Sequence, residues 1–463
     1  MKPRLLIPIT VQFSVRYLIR TGLLNRIIEY ADPIIVIGWE DAGLAAELQG
    51  LGAEVFNLPR KKIGIRYMRL YKQIYQWQLK CINSPTSAIE RRRYDLTKPF
   101  TDRIRTTARD DLFRLALFMP GYVDNILQKQ ITLVWQDTNI SEYLSLVERI
   151  KPDAILSLTP FFIEEELLLR AAEKMNIPMV AAYLSFDNIT TRNYTPISFD
   201  EYFLWNRYNR EELWRVYPGA RSKKVTIVGA PQFDFYYDES YLWDESTWRK
   251  VVGLPDSRPV ILFASTGKFV APHEGQWLFH LDEAIERGQI HGNPVILFRK
   301  HPNDPSDYWK SLISSTRHII FDEPWMEGKE TAGKTNVTRR DIEKLASTLF
   351  HCIVHINTSS TMTVDGAIYD RPQIGPAYDE TGKFARASRE LYLREHYLPI
   401  TRSGGLDIVT NRQDLIQAIN SAIREPNLRS SGRKKLVQEI CTFIDGKCTE
   451  RVNIALHDFL FRN

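Results

Sequence analysis

Cysteine is scarce in this chain, and no long hydrophobic run is present. The 463 residues include four cysteines, which form neither a C-x-x-C pair nor a zinc-binding spacing. A chain of this length can bury a sizeable core without disulfide or metal staples. No apolar run approaches the roughly 18 to 20 residues of a membrane-spanning helix, and the apolar residues after Met1 are too few for a secretory core. We therefore expect a reduced, cytosolic protein that does not cross a membrane.

Several catalytic signatures are also missing. The sequence has no D-x-D pair and no His/Cys/Asp cluster with metal-ligand spacing. The loop Ser265-Thr266-Gly267-Lys268 has one glycine and lacks the G-x-x-x-x-G-K-[ST] pattern of a phosphate loop. We therefore predict no essential metal and no cofactor.

The positive charge of the chain is concentrated in one segment. The net charge is +5. Between Arg60 and Asp110, 14 Lys and Arg residues stand against four acids, a local balance of +10 that leaves −5 for the remainder. A basic segment on an otherwise acidic protein indicates an anionic partner surface. A pI of about 8.8 with one localised patch falls short of the usual nucleic-acid footprint, so no nucleic-acid partner is predicted.

Short apolar runs alternate with helical patterns in both halves of the chain. Near-continuous apolar strands separated by helices predict parallel sheets covered on both faces. The predicted strands are Leu5–Ile9, Pro33–Trp39, Glu54–Leu58, Asp153–Thr159, Pro178–Ser185, Tyr202–Trp205, Val225–Val228, Val260–Ala264, Val295–Arg299, His318–Phe321, Cys352–Ile356 and Gln373–Gly375.

The fold class predicted from this rhythm is α/β, with two Rossmann-like domains facing each other across a cleft. The first domain is expected over 1–240, with a basic helical insertion at about 60–150 where the rhythm breaks. The second is expected over 241–430, and a helical tail over 431–463. We expect the first domain to bind the acceptor and the second the donor of a transferred group.

Two polar signals in the second half follow buried strands directly. Ligands of open parallel sheets bind outside the carboxyl ends of the strands, and cations, hydroxyls and helix N-terminal amides there suit a phosphate ester. The alternatives are a basic strand end that meets an acidic neighbour, and ordinary helix N-capping. The residues concerned are Arg299, Lys300 and His301 after one strand, and Thr358, Ser359, Ser360 and Thr361 after the other.

Further candidates lie after neighbouring strands. Thr266 and Gly267 follow one strand, and the nearby pair His273-Glu274 could face the cleft or belong to a solvated loop. Glu323 follows another strand, at a place where a base or ribose could rest or where the chain simply makes an acidic turn.

A group transfer needs a general base for the acceptor hydroxyl, and two carboxylates of the first half lie just beyond strand ends. Asp41 could serve, or it could cap the following helix. Asp187 could serve, or it could initiate an Asx turn.

These motifs carry a family resemblance. His301-Pro302 and Ser359-Ser360, with the two-domain layout, resemble GT-B-fold glycosyltransferases of the bacterial surface-polysaccharide type: sialyltransferases, Kdo transferases and CDP-glycerol glycerophosphotransferases. The resemblance implies that His301 and the residues 359–361 hold the phosphates of the donor nucleotide. It implies a transfer from a nucleotide sugar, a co-substrate, to a glycan or lipid-linked glycan acceptor.

The same resemblance leaves other functions open. A glycerophosphotransferase or a nucleotide-sugar epimerase could use this fold, and so could a degenerate GT-B interaction module that catalyses nothing. For the transferase we expect a cytoplasmic location, with peripheral attachment of the basic segment to the inner face of the membrane as one option.

The basic segment combines its cations with aromatics. Tyr67, Tyr71, Tyr75 and Trp77 recur near every fourth residue, which predicts one face of a helix. Such a helix could lie on an anionic membrane, or it could pack its aromatics on the first domain. The cations expected to contact a membrane or acceptor are Lys61, Lys62, Arg66, Arg69 and Lys72.

Overall fold

The computed structural model describes residues 1–59, 64–71, 74, 84–96, 98–117, 119–136, 140–192, 197–326 and 335–462. The chain divides into two compact units. The first comprises Met1–Gly229 with Thr449–Asn463, and the second comprises Ala230–Cys448.

The first unit is built on a seven-stranded sheet with the order β3-β2-β1-β4-β5-β6-β7. All its strand pairs are parallel. Since β2 and β3 extend to one side of β1 and β4 returns to the other, the strand order reverses between β1 and β4. The strands are β1 Arg4–Ile9, β2 Asp32–Ile37, β3 Glu54–Asn57, β4 Ala154–Ser157, β5 Met179–Ala182, β6 Glu201–Leu204 and β7 Lys224–Ile227.

Helices cover both faces of this sheet because its strands are apolar on both sides. Leu6 belongs to the buried cluster on one face, and its neighbours Leu5 and Ile7 to the cluster on the other. The α-helices are Gln12–Val15, Leu23–Tyr30, Ala42–Gly50, Pro85–Leu96, Phe100–Leu117, Tyr122–Gln136, Ser141–Ile150, Ile163–Lys174, Asn188–Thr191, Arg207–Val216 and Cys448–Leu460, with a π-turn at Arg16–Arg20 and a 3₁₀ turn at Pro218–Ser222.

The second unit repeats the design with six strands in the order β10-β9-β8-β11-β12-β13, again all parallel. Here the order reverses between β8 and β11. The strands are β8 Val260–Ala264, β9 Val295–Arg299, β10 Ile319–Asp322, β11 Val354–Asn357, β12 Gln373–Pro376 and β13 Leu406–Val409.

The helices of the second unit pack Trp277, Trp309 and aliphatic side chains against this sheet. The α-helices are Glu245–Val251, Glu274–Glu286, Ser306–Ile313, Arg339–His351, Met362–Ile368, Ala385–Glu390, Leu398–Arg402, Arg412–Arg424 and Ser430–Cys441, and the 3₁₀ turns are Pro231–Tyr237, Glu239–Tyr241, Leu391–Leu393 and Glu395–Tyr397.

The C-terminal region differs from the expected separate tail. The helix Ser430–Cys441 belongs to the second unit, whereas residues from Thr449 onward belong to the first. Val452 and Leu456 are buried among the core residues of the first sheet, and Tyr30 donates a hydrogen bond to Asn453 Oδ1 at 3.0 Å. The first unit also ends at Gly229, eleven residues before the expected boundary at 240.

Candidate functional site

The carboxyl ends of β8 and β11 meet at the strand-order reversal of the second unit. Thr266 follows β8 and Thr358 follows β11. Thr266 Oγ1 donates a hydrogen bond to the carbonyl oxygen of Thr358 at 2.7 Å and accepts one from the Thr358 amide at 3.3 Å. The loop after each strand is thereby fixed to the other, at the place where open α/β sheets bind ligands.

Beneath this bridge lies a buried carboxyl group, Glu274. It accepts hydrogen bonds from Ser265 Oγ at 2.6 Å and from the Thr266 amide at 2.9 Å. The side chain is fully buried, and burial raises its pKa to about 7 despite these bonds. Glu274 therefore does not lie in a solvated loop. Its buried carboxyl group stabilises the loop after β8 through these two hydrogen bonds.

His301 packs against this loop. Gly267 has φ +97°, a backbone conformation that favours glycine, and a Cβ at its position would press on the imidazole, at 3.2 Å from His301 Cγ. His301 Nδ1 accepts a hydrogen bond from the Asn303 amide at 3.2 Å. The neutral ring therefore carries its proton on Nε2, and the half-buried His301 can act as a hydrogen-bond donor through that atom.

Arg299, which the sequence predicts as a phosphate ligand, is engaged within the protein. Its guanidinium is buried, pairs with Asp322 Oδ2 at 2.5 Å and donates to the Pro324 carbonyl at 3.1 Å. Asp322 is the last residue of β10, beside the end of β9. The alternative of a basic strand end that meets an acidic neighbour holds for this residue.

Lys300 and Glu323 are likewise engaged with each other. Lys300 Nζ lies 3.0 Å from Glu323 Oε1 and donates to the Asp304 carbonyl at 2.9 Å. Glu323 Oε2 accepts from Ser306 Oγ at 2.6 Å. Whereas Arg299 and Lys300 are paired and buried, Lys268, which was not among the predicted site residues, is exposed in the loop after β8. Its amide donates to Asp304 Oδ2 at 3.0 Å. The signal was its position directly after Gly267.

The hydroxyl run after β11 has divided roles. Ser359 is buried in the left-handed region at φ +47°, its hydroxyl donates to Leu391 O at 2.8 Å, and Arg394 Nη2 donates to its Oγ at 2.8 Å. The Ser359 hydroxyl is therefore engaged in hydrogen bonds inside the second unit. Ser360 is half-buried and Thr361 exposed, and Thr361 makes no side-chain cap bond to the helix that begins at Met362. Ser360 and Thr361 remain at the rim of the sheet.

In the first unit, Asp41 has a structural role. It caps the helix Ala42–Gly50, and its Oδ1 accepts from the Leu44 amide at 2.9 Å. Asp187 precedes the short helix Asn188–Thr191 and accepts from Asn188 Nδ2 at 3.2 Å. Asp187 is half-buried beyond the end of β5, and its Oδ2 also accepts a hydrogen bond from Thr191 Oγ1 at 3.4 Å.

Sequence reasoning overlooked a second buried carboxyl group, Glu165, at the strand-order reversal of the first unit. It accepts hydrogen bonds from the hydroxyls of Ser157 and Thr159. The hydroxyl of Thr10, which follows β1, lies 2.5 Å from the Thr159 hydroxyl and shares a hydrogen bond with it. Burial raises the pKa of Glu165 to about 7. Hydroxyl residues ahead of a helix that begins with acidic residues are the sequence signal, and Glu274 shares it.

The basic segment is divided between core and surface. Tyr67 and Tyr71 are buried, and Tyr67 accepts a hydrogen bond from Gln130 Nε2 at 3.2 Å. Tyr67 and Tyr71 thus pack on the first unit, as the second of the two alternatives for this segment expects. Arg66 and Arg69 are exposed, whereas Lys61, Lys62, Lys72, Tyr75 and Trp77 lie outside the described residues.

The described residues contain no group of three or more His, Cys, Asp or Glu side chains placed to hold a metal ion. Among the same residues, no helix combines the length and apolar character that crossing a bilayer requires.

Comparison with known proteins gives structural relatives only. No family model and no curated protein matches the sequence. The S. aureus MnaA–UDP co-structure matches with TM-score 0.57 at 11% identity, over 99% of this chain and 97% of that one. UDP-GlcNAc 2-epimerase from Neisseria meningitidis bound to UDP-GlcNAc matches with TM-score 0.56 at 13% identity, over 98% and 100%.

A glycosyltransferase from Rickettsia africae also matches, with TM-score 0.52 at 12% identity, over 100% of this chain and 99% of that one. Each match spans both units of the chain. At these identities the comparisons establish the fold, which is the α/β, GT-B-like class with two parallel sheets expected from the sequence.

Proposed function

We propose that this chain is a nucleotide-sugar glycosyltransferase of cell-surface polysaccharide synthesis. Its second unit binds the donor, and its acceptor is a glycan or lipid-linked glycan. The observation that carries the proposal is the Thr266–Thr358 bridge with His301 packed on Gly267, at the strand-order reversal of a GT-B-like fold. The sialyltransferase or Kdo transferase type is part of the proposal and rests on the His301-Pro302 and Ser359-Ser360 motifs.

In this proposal the donor phosphates lie over the loops after β8, β9 and β11. His301 Nε2 and Lys268 Nζ supply positive or hydrogen-bonding groups, and Ser360 and Thr361 supply hydroxyls. Five residues hold these loops in place without contacting phosphate and therefore position the site: Arg299, Lys300, Glu323, Thr358 and Ser359. Preorganised donors aimed at developing charge are the largest electrostatic contribution available to such a reaction.

The reaction breaks the bond between the anomeric carbon and the phosphate oxygen, whose electron pair leaves with the nucleotide. A new bond forms between that carbon and the acceptor oxygen, and the acceptor proton passes to a carboxylate. His301 stabilises the departing phosphate. Asp187 takes the proton if the anomeric configuration inverts. We expect no essential metal, so turnover should persist in EDTA.

A nucleotide-sugar epimerase is the second candidate. Two of the structural relatives described above, from S. aureus and Neisseria meningitidis, match over the whole chain, and the second is a UDP-GlcNAc 2-epimerase. An epimerase would convert one nucleotide sugar into another that differs at one carbon, without an acceptor. A transferase would release free nucleotide, and would do so faster when an acceptor is present.

A panel of nucleotides tests the first requirement of the proposal, which is that the chain binds a nucleotide. Thermal shifts with UDP, CMP, CDP and GDP, each at millimolar concentration, should identify one nucleotide that raises the melting temperature. The matching nucleotide sugar is then incubated with and without glycan acceptors, and the products are separated by chromatography. Stabilisation by none of the nucleotides would favour a non-catalytic interaction module, and conversion of the sugar without acceptor would favour the epimerase.

The assignment of His301 has a matched control. His301→Ala should lower turnover at least tenfold, whereas His291→Ala should leave it unchanged. His291 is exposed and precedes β9, at the opposite edge of the sheet from His301. Equal turnover of the two variants would remove His301 from the site.

A further inference from the structure

The ammonium group of Lys268, in the loop after β8, lies over an aromatic ring. Lys268 Nζ is 5.0 Å from the centre of the Tyr308 ring, within the distance at which a cation is attracted to the face of a tyrosine. Lys268 is exposed, and Tyr308 is 42% exposed. A surface lysine has a flexible stem with many rotamers, so this contact restricts where its charge lies.

The main chain of Lys268 is attached to the helix that carries Tyr308. The Lys268 amide and Trp309 Nε1 both donate hydrogen bonds to Asp304 Oδ2, each at 3.0 Å. Asp304 is buried, and Tyr308 and Trp309 are consecutive residues of the helix Ser306–Ile313. This helix therefore holds Lys268 at two points, through its amide and through its ammonium group.

The same support carries His301. The Asp304 amide donates to the His301 carbonyl at 3.0 Å, and Gly267, directly before Lys268, packs against the imidazole. The loops after β8 and β9 thus present a lysine and a histidine from one connected framework. Side chains that are held in place before a ligand arrives lose less conformational freedom when it binds.

We propose that Tyr308 is a positioning residue of the donor site. Its ring holds the Lys268 ammonium group beside His301, where both groups meet the phosphate of the donor. Tyr308 acts through Lys268 and not on the phosphate itself. The inference rests on the proposed function, because it requires a phosphate at this loop.

The position of the ammonium group can be measured without any nucleotide. Reductive methylation with isotope-labelled formaldehyde places NMR-visible methyl groups on the lysine amines of the full chain. The methyl resonance of Lys268, assigned by its absence in Lys268→Arg, should be shifted upfield by the ring current of Tyr308. Tyr308→Phe should keep this shift, and Tyr308→Leu should abolish it. An unshifted resonance in the parent would overturn the proposal, because the charge would then not lie over the ring.

Nucleotide affinity measures the consequence for binding. With the nucleotide that stabilises the parent, Tyr308→Leu should weaken binding about two- to fivefold, the size expected of an exposed contact between a cation and a ring. Tyr308→Phe keeps the ring and should restore the parental affinity. In the Lys268→Ala background, Tyr308→Leu should have no further effect, because the ring acts only through the ammonium group.

A second exposed ring provides the control. Phe350→Leu removes a 37% exposed ring from the helix Arg339–His351 and should leave nucleotide affinity unchanged. Tyr308 and Phe350 both lie at the surface, so the melting temperatures of the variants without nucleotide should stay close to that of the parent.

The outcomes distinguish this inference from the proposed function. If no nucleotide stabilises the parent, the proposed function fails, and the role of Tyr308 at a phosphate fails with it even when the upfield shift is present. If a nucleotide binds and Tyr308→Leu retains the parental affinity, only the role of Tyr308 is overturned. Equal weakening by Tyr308→Leu with and without Lys268 would also overturn it, because the ring would then contact the nucleotide directly.

Discussion

Thr266 and Thr358 join the two central loops of the second sheet through one side chain. The Thr266 hydroxyl donates to the Thr358 carbonyl at 2.7 Å and accepts from the Thr358 amide at 3.3 Å. The strands β8 and β11 are already paired up to Ala264 and Asn357, and this hydroxyl extends the connection to the loops that follow them. The Glu274 carboxyl group stabilises the loop after β8 by accepting a hydrogen bond from the Thr266 amide at 2.9 Å.

Removing this hydroxyl should separate the two loops. Thr266→Val keeps the shape of the side chain but loses both hydrogen bonds, and we expect about tenfold weaker nucleotide affinity with a stability loss of about 1 kcal/mol. Thr266→Ser retains the hydroxyl and should stay within about twofold of the parent. Calorimetric titration with the nucleotide identified by the panel measures both, and parental affinity in the valine variant would contradict the role of the bridge.

Gly267→Ala should displace His301. The added Cβ would lie 3.2 Å from His301 Cγ at a backbone φ of +97°, so the imidazole must move, and we expect turnover to fall at least tenfold. Gly253→Ala is the control, because Gly253 has φ +72° with nothing within 4 Å of a Cβ. Both variants carry backbone strain on the order of 1 kcal/mol, so a difference in turnover at similar melting temperature isolates the contact with His301.

Arg299→Ala should reduce stability and leave nucleotide affinity nearly unchanged. The substitution leaves Asp322 buried with Lys344 Nζ at 2.6 Å as a remaining partner. We expect a loss of roughly 2 to 4 kcal/mol, since breaking buried ion pairs typically costs about 3 to 5 kcal/mol. Urea unfolding measures it, with the exposed Lys310→Ala as control. A large affinity loss at parental stability would instead make Arg299 a phosphate ligand.

Glu165 and Glu274 should make stability depend on pH. Burial raises the pKa of each from 4.5 to about 7. Between these values the folded chain retains a proton that the unfolded chain has lost, so the unfolding free energy falls as pH rises from about 4.5 to about 7. The stabilisation is fully present below pH 4.5. Each group contributes a slope of at most about 1.4 kcal/mol per pH unit.

Replacing either carboxyl with an amide tests this linkage. Glu165→Gln and Glu274→Gln should each flatten the fall in unfolding free energy between pH 5 and 7, measured by urea unfolding. Glu211→Gln, at an exposed position, controls for the loss of one carboxylate. An unchanged slope in both buried variants would show that neither group holds a proton in the folded chain at pH 6.

The strands were largely predictable because parallel strands buried on both faces must be apolar throughout. Val260–Ala264 and Val295–Arg299 were predicted with the bounds that the structure shows. The edge strand Leu406–Val409 was missed because only Leu406 and Val409 of its four residues are buried. A helical tail was predicted, but not that its helix Cys448–Leu460 packs on the first sheet, because that partner lies far away in the sequence.

The sequence by itself determined the fold class and placed the polar residues at the strand ends, because period and local apolar content decide both. Only the tertiary structure decided which of those residues are available to a ligand. The sequence predicts Arg299 and Lys300 as phosphate ligands. In the folded chain, Asp322 at the end of β10 pairs with Arg299, and the next residue, Glu323, pairs with Lys300. In the sequence, Glu274 and Glu165 look like ordinary helix residues. Only their burial in the fold raises the pKa of each to about 7. The ion pairs and the burial both depend on residues that are distant in the chain, so the local sequence pattern cannot predict them.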